Sequence, residues 1–129
     1  SDNIAPSTAD EVEDGVSAKP QVNREDVVAM IAAAFPENQG EMLKIGRCES
    51  QVSSDRVGDL GIRFEKDGKL YGSSHGIFQI RALPGRTDDP DQFAEDMKNP
   101  KKNIEAAKRI FDGQGYKAWY NCAVKEGLM

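Results

Sequence analysis

Apolar side chains recur every three or four residues in three stretches of the chain, which is the spacing of one face of an α-helix. The first face follows Asn23, a residue type that caps helices well, and precedes Pro36, which ends or redirects the helix. It consists of Val27, Val28, Ile31 and Phe35. The second face lies within residues 41–49 and consists of Met42, Ile45 and Cys48. Two successive helices are therefore predicted at the start of the folded region.

The third apolar face carries the clearest boundary signals. Asn99 is a cap residue, Pro100 stands at the first helical position, and we expect Gly113 to follow the end of the helix. The buried side is predicted to consist of Ile104, Ala107 and Phe111, with the charge of Lys108 in water beside it.

Between the second and third helices the pattern changes to short apolar runs. Residues 62–72, IRFEKDGKLYG, predict two strands around an Asp67-Gly68 turn, a strong hairpin signal. The run SSHGIFQI, residues 73–80, is expected to be buried, and the turn residues of 82–91 predict a loop. The whole predicts an α+β domain over residues 23–129, mostly helical, with one small β-hairpin.

Residues 1–22 lack this patterning. They hold acids and prolines without hydrophobic periodicity, so we expect a flexible acidic linker or tail. Because the chain begins with Ser1 and no leader follows, a mature form or an excised domain is expected.

Composition restricts the partners. The net charge is −5, which argues against a protein that follows nucleic-acid phosphates, and no apolar run is long enough for membrane insertion. With His75 as the single histidine and no CxxC spacing, no metal site is expected, and no cofactor is implied. The acidic residues 87–96 lack the ligand spacing of an EF-hand and fit a turn and a helix start better. The two cysteines permit one disulfide, which the residues alone leave undecided.

Glu49 stands at the predicted end of the second helix, in the sequence RCES. The negative end of the helix dipole disfavours a charged carboxylate there, and an apolar wall would raise its pKa further, as a general acid requires. Taken alone, however, an ordinary surface glutamate explains the residue better.

The order of four segments changes this interpretation. RCES, then SSHGIFQI, then NPKKNIEAAKRIF, then GYKAWYNC, together spanning about residues 27–123, resemble the lysozyme-like superfamily. Within it, they are most similar to soluble lytic transglycosylases and resuscitation-promoting factors. The resemblance implies a lysozyme-like fold, peptidoglycan glycan strands as the partner, and Glu49 as the catalytic acid. It also implies a Cys48–Cys122 disulfide, and with it an extracellular, periplasmic or cell-wall location.

The resemblance also bears on a second carboxylate. Retaining glycosidases use two, and animal-type lysozymes place theirs two residues before the glycine of this segment, where this chain has Ser74. That difference matches the transglycosylases, in which one glutamate serves as acid and then base. Four acids remain as alternatives, of which Asp67 is better explained by the turn and Asp55 and Asp59 by loop solvation; the fourth is Glu65.

Further site residues are expected from the same likeness. Gln79 has both a donor and an acceptor for sugar groups, or is satisfied by backbone, and Asn103 touches substrate or braces the site. His75 is expected to pack beside the cleft. The candidate substrate-binding residues are Ser50, Tyr71, Ser74, Gln79, Asn103 and Tyr120. Tyr116 is a further aromatic that could stack on sugars, whereas Trp119 is assigned to packing.

The sequence therefore predicts a monomeric enzyme domain that cleaves the β-1,4 bond between N-acetylmuramic acid and N-acetylglucosamine. A lytic transglycosylase that forms 1,6-anhydro ends is favoured. The alternatives are a hydrolytic muramidase and a non-catalytic glycan-binding domain on the same scaffold.

Overall fold

The structure, a computed structural model, describes residues 23–129 and has the predicted α+β composition. The expected linker, residues 1–22, lies outside the described residues. The helices in the described part are α1 (Arg24–Ala34), α2 (Gln39–Ser50), α3 (Pro90–Asp96), α4 (Pro100–Gln114) and α5 (Tyr120–Lys125). Two 3₁₀ turns, Leu60–Ile62 and Gly115–Trp119, accompany them.

The strands lie between α2 and α3 and form two small antiparallel sheets. The strands are β1 (Val57–Gly58), β2 (Phe64–Lys66), β3 (Lys69–Tyr71), β4 (Ser74–His75) and β5 (Ile80–Arg81). The predicted hairpin is confirmed as the β2–β3 pair, whose turn residues Asp67 and Gly68 both have positive φ, as a tight hairpin turn requires. The second sheet, in the order β1-β4-β5, was not predicted.

The caps of α1 and α4 follow the sequence signals. Asn23 accepts a hydrogen bond from the Glu25 backbone N–H, and Asn99 accepts one from the Lys102 N–H. The predicted end of α4 was wrong by two residues. The helix continues through Gln114, because Gly115 and not Gly113 has the positive φ that ends it.

The core lies between α1, α2 and α4 and is closed by the turn that joins β4 to β5. Ile77 and Phe78 in this turn are fully buried, as expected for the run SSHGIFQI. Trp119 is buried against Phe78, with ring centroids 5.9 Å apart, and its indole N–H donates to the Phe78 carbonyl at 2.9 Å. The assignment of Trp119 to packing is therefore confirmed.

A disulfide joins Cys48 in α2 to Cys122 in α5, as the resemblance implied. It closes a loop of 74 residues, for which the chain-entropy model gives a stabilisation of about 4 kcal/mol. Within residues 23–129, none of the helices has the length and apolar character needed to cross a membrane.

Candidate active site

Glu49 is the second-last residue of α2, and its neighbours hold it in place from both sides. Cys48 is tied to α5 by the disulfide. The Ser50 hydroxyl donates to the Ile77 carbonyl at 2.7 Å and accepts from the Ser53 N–H at 3.1 Å. Ser50 is 1% exposed, so it fixes the end of α2 against the core turn and does not line the cleft.

Glu49 faces an open cleft of about 450 Å³, within the range of small-ligand sites. One wall comes from the loop after α2 and from β4 and β5, and the other from the C-terminal segment. The polar residues that line it include Asp59, Ser74, Gln79 and Tyr120. The structure therefore brings three of the expected substrate-binding residues to the candidate catalytic acid.

The electrostatic setting of Glu49 suits an acid that works near neutral pH. Two effects together raise the pKa of its carboxyl from 4.5 to about 7. Burial is the larger, and the negative charge of Asp59 is the second. At pH 7 such a group is present in both forms. It can therefore donate a proton in one step and accept one in the next.

Asp59, one of the four alternative acids, was assigned to loop solvation; it is exposed, and it also lines the cleft, which the sequence did not predict. The structure places it on the cleft wall, where its carboxylate accepts a hydrogen bond from the Ser74 hydroxyl. Its backbone has φ 58°, a left-handed conformation that Asp tolerates better than most residues. The pairing of Gly58 with Ser74 brings this loop to the cleft, and two-residue strands leave no periodic pattern to predict it.

Ser74 consequently has a different role from the one its position suggested. It is 2% exposed and directs its hydroxyl at Asp59. Ser74 thus orients a carboxylate that a different loop supplies.

Gln79 uses its amide N–H groups on the backbone. Its Nε2 donates to the Gly76 carbonyl at 2.9 Å and to the Arg56 carbonyl at 3.1 Å. Its Oε1 lies against Gly58, so closely that a Cβ there would be 2.3 Å away. Of the two roles considered for its donors, backbone satisfaction is the one the structure has.

Asn103 braces the turn behind the cleft. It is fully buried, donates to the carbonyls of His75 and Met97 at 2.9 and 3.0 Å, and accepts from the Phe78 N–H at 3.0 Å. A Cβ on Gly76, which has φ 77°, would lie 2.3 Å from the Asn103 amide nitrogen. Bracing, and not substrate contact, is therefore the role of Asn103.

The aromatic residues divide between the cleft and the core. Tyr120 is 60% exposed on the cleft wall, where its ring can stack on a sugar. Tyr71 is 4% exposed, stacks on Phe64 and lies outside the cleft lining. Tyr116 packs edge-on against Phe111.

His75 is buried in β4 beside the cleft. Its Nε2 is 2.8 Å from the Ser73 hydroxyl. Burial, and secondarily the charge of Lys98, lower the pKa of its imidazole, which favours the neutral form. These contacts agree with the packing role expected for it.

The acidic stretch 87–96 forms a helix start, as expected. Asp89 caps α3 by accepting from the Gln92 N–H at 3.1 Å, and Asp96 pairs with Lys102 at 3.2 Å. Within the described range, no group of three or more His, Cys, Asp or Glu side chains is arranged to hold a metal ion.

No protein-family model matches the chain, and neither does any curated protein or solved structure.

Proposed function

We propose that this protein cleaves the β-1,4 bond between N-acetylmuramic acid and N-acetylglucosamine in peptidoglycan, as a lytic transglycosylase that forms 1,6-anhydro ends. The observation that carries the proposal is Glu49, a carboxyl group with a pKa raised to about 7 that lines an open polar cleft. The ordered resemblance of four segments to lytic transglycosylases supplies the substrate class.

In the proposed reaction Glu49 acts twice. Its protonated carboxyl gives its proton to the glycosidic oxygen as the C1–O bond breaks, which leaves positive charge on the muramic acid ring. The resulting carboxylate then takes the proton of that sugar's own 6-hydroxyl, whose oxygen bonds to C1. No water is consumed, and Glu49 ends protonated as it began. A carboxyl pKa near the working pH serves both steps.

A second candidate is hydrolysis by the same cleft, and Asp59 is the observation that favours it. Most glycoside hydrolases use two carboxylates in one cleft, and the second acts as nucleophile or activates water. The Ser74 hydroxyl orients Asp59 for either task. Replacement of Asp59 therefore separates the two candidates, since only hydrolysis needs it for chemistry.

The disulfide supports an oxidising compartment outside the cytoplasm, because such bonds persist there. We accordingly place the protein outside the cell, in the periplasm or at the cell wall, where its substrate lies, and we expect it to act as a monomer.

The proposal is tested by release of soluble fragments from dye-labelled, purified peptidoglycan. The wild type should release dye, and Glu49→Gln should reduce the rate to background while its circular dichroism spectrum is unchanged. Glu37→Gln, an exposed site in the turn between α1 and α2 that lines neither described cavity, is the matched control and should keep full activity. Undiminished release by Glu49→Gln refutes the assignment, and binding of strands without release by the wild type favours a glycan-binding domain.

A further inference from the structure

The cleft carries a second polar feature, a set of cations on its lining. Arg81, Arg86 and Lys117 all line it, in a chain whose net charge is −5. Within residues 23–129, no carboxylate lies at ion-pair distance from any of the three. Cations left without partners in a cleft favour an anionic ligand.

The two arginines are held in place by the backbone. Arg81 donates from Nε to the Gly72 carbonyl at 2.8 Å and from Nη2 to the Ile62 carbonyl at 3.1 Å. Arg86 donates from Nη1 to the Arg81 carbonyl at 3.0 Å, so its Nε and Nη2 remain available. Although Arg86 is exposed as a whole, partial burial of its guanidinium, and then the charge of Arg81, lower its pKa. The hydrogen bond from Arg86 to the Arg81 carbonyl places the two residues in direct contact.

The cleft carries cations as well as acids. Arg81 pairs in register with Ser74, whose hydroxyl donates to Asp59, and the Arg81 carbonyl accepts from Arg86.

Arg86 also lines a second groove, of about 330 Å³, and is the residue that the linings of these two cavities share. The second groove contains side chains of both signs, among them Asp89, Glu105 and Arg109. The two cavities therefore adjoin at Arg86, and the second groove offers a surface that suits both carboxylate and amine groups.

We propose that Arg86 binds a carboxylate of the stem peptide carried by muramic acid, and that the peptide continues from the cleft into the second groove. The enzyme would then prefer strands that retain their stem peptides. This inference rests on the proposed function for the identity of the strand. The free lactyl carboxylate of a stripped strand is a weaker candidate, because it is a single group on the sugar and leaves the second groove unused.

The test compares intact glycan strands with strands whose peptides have been removed by an amidase. Wild-type protein should have a KM at least several-fold lower on intact strands. Arg86→Gln should raise KM several-fold on intact strands, leave KM on stripped strands unchanged and leave kcat unchanged on both. Arg86→Lys keeps the positive charge but not the two-pronged hydrogen-bonding geometry of the guanidinium, so its KM on intact strands should lie between those of the wild type and Arg86→Gln. Arg24→Gln, an exposed site outside both cavities, is the control and should match the wild type.

Equal wild-type KM on both strands would overturn the inference, and so would an equal loss by Arg86→Gln on both, which would point to the lactyl carboxylate. Co-sedimentation with Glu49→Gln protein gives a readout that does not need turnover. If wild type cleaves neither strand, the proposed function fails. In that case the peptide site would still be supported if Glu49→Gln protein binds intact strands preferentially and the Glu49→Gln, Arg86→Gln double variant does not. Equal binding of intact and stripped strands by Glu49→Gln protein would refute the peptide site.

Discussion

Replacement of the catalytic candidate should make the protein progressively more stable than the wild type above about pH 4.5, with the full gain reached above pH 7. The pKa of Glu49 in the folded state, about 7, lies above the ordinary value of 4.5. Between these pH values the folded state holds a proton that the unfolded state has lost. The stabilisation from this proton is complete below about pH 4.5 and is lost as the pH rises through 7. Glu49→Gln stays neutral and avoids the loss.

The size of the effect follows from the same shift. At about 1.4 kcal/mol per pKa unit, the full shift from 4.5 to about 7 corresponds to about 3–4 kcal/mol. Glu49 is only half-buried, so solvent screening reduces this value, and we expect Glu49→Gln to gain about 1–2 kcal/mol at pH 8 relative to pH 4. For a domain of this size, that gain raises Tm by about 4 °C or more.

The assay is thermal unfolding followed by circular dichroism at pH 4 and pH 8. The quantity compared is the difference in unfolding free energy between variant and wild type, so that any offset independent of pH cancels. Glu37→Gln, which also replaces a carboxylate by an amide, is the control at an exposed site outside the cleft. A Glu49→Gln difference that is equal at pH 4 and pH 8 would refute the electrostatic account of the site.

Three further predictions concern the residues around Glu49. Asp59→Asn removes a charge that raises the pKa of Glu49. The alkaline limb of the pH–rate profile should therefore move to lower pH, with activity retained. Loss of activity at every pH would instead favour hydrolysis. Gly76→Ala places a Cβ against the Asn103 amide in a left-handed position and should cost about 2–4 kcal/mol in urea unfolding, whereas a cost below 1 kcal/mol would contradict the bracing geometry. Joint replacement of Cys48 and Cys122 by Ala should cost about 2–4 kcal/mol, measured the same way under non-reducing conditions, and an unchanged stability would exclude a contribution from the disulfide.

The parts of the fold that depend on local signals were predictable. Helix starts depend on contacts within one turn, as at Asn23, Asn99 and Pro100. The hairpin turn depends only on the positive φ values of Asp67 and Gly68. The end of α4 was misplaced because Gly113 and Gly115 lie two residues apart, and composition does not say which one leaves the helical conformation.

The candidate site was predictable only in part, for a physical reason. Glu49 and the disulfide were predicted from the order of four sequence segments. The contact between Asp59 and Ser74 depends on the pairing of two-residue strands, which are too short to show alternation. Long-range pairing of this kind decides which loop acid reaches the cleft, so the sequence left Asp59 as one of four alternatives and only the folded chain singles it out.

The most direct test of the central claim is the mass of the ends released from purified peptidoglycan digested in water enriched in oxygen-18. The wild type should release muropeptides with 1,6-anhydro ends, which are one water lighter than hydrolysed products and carry no label. Glu49→Gln should release none. Reducing ends that carry oxygen-18 would contradict transglycosylation, and release by both proteins would contradict the role of Glu49.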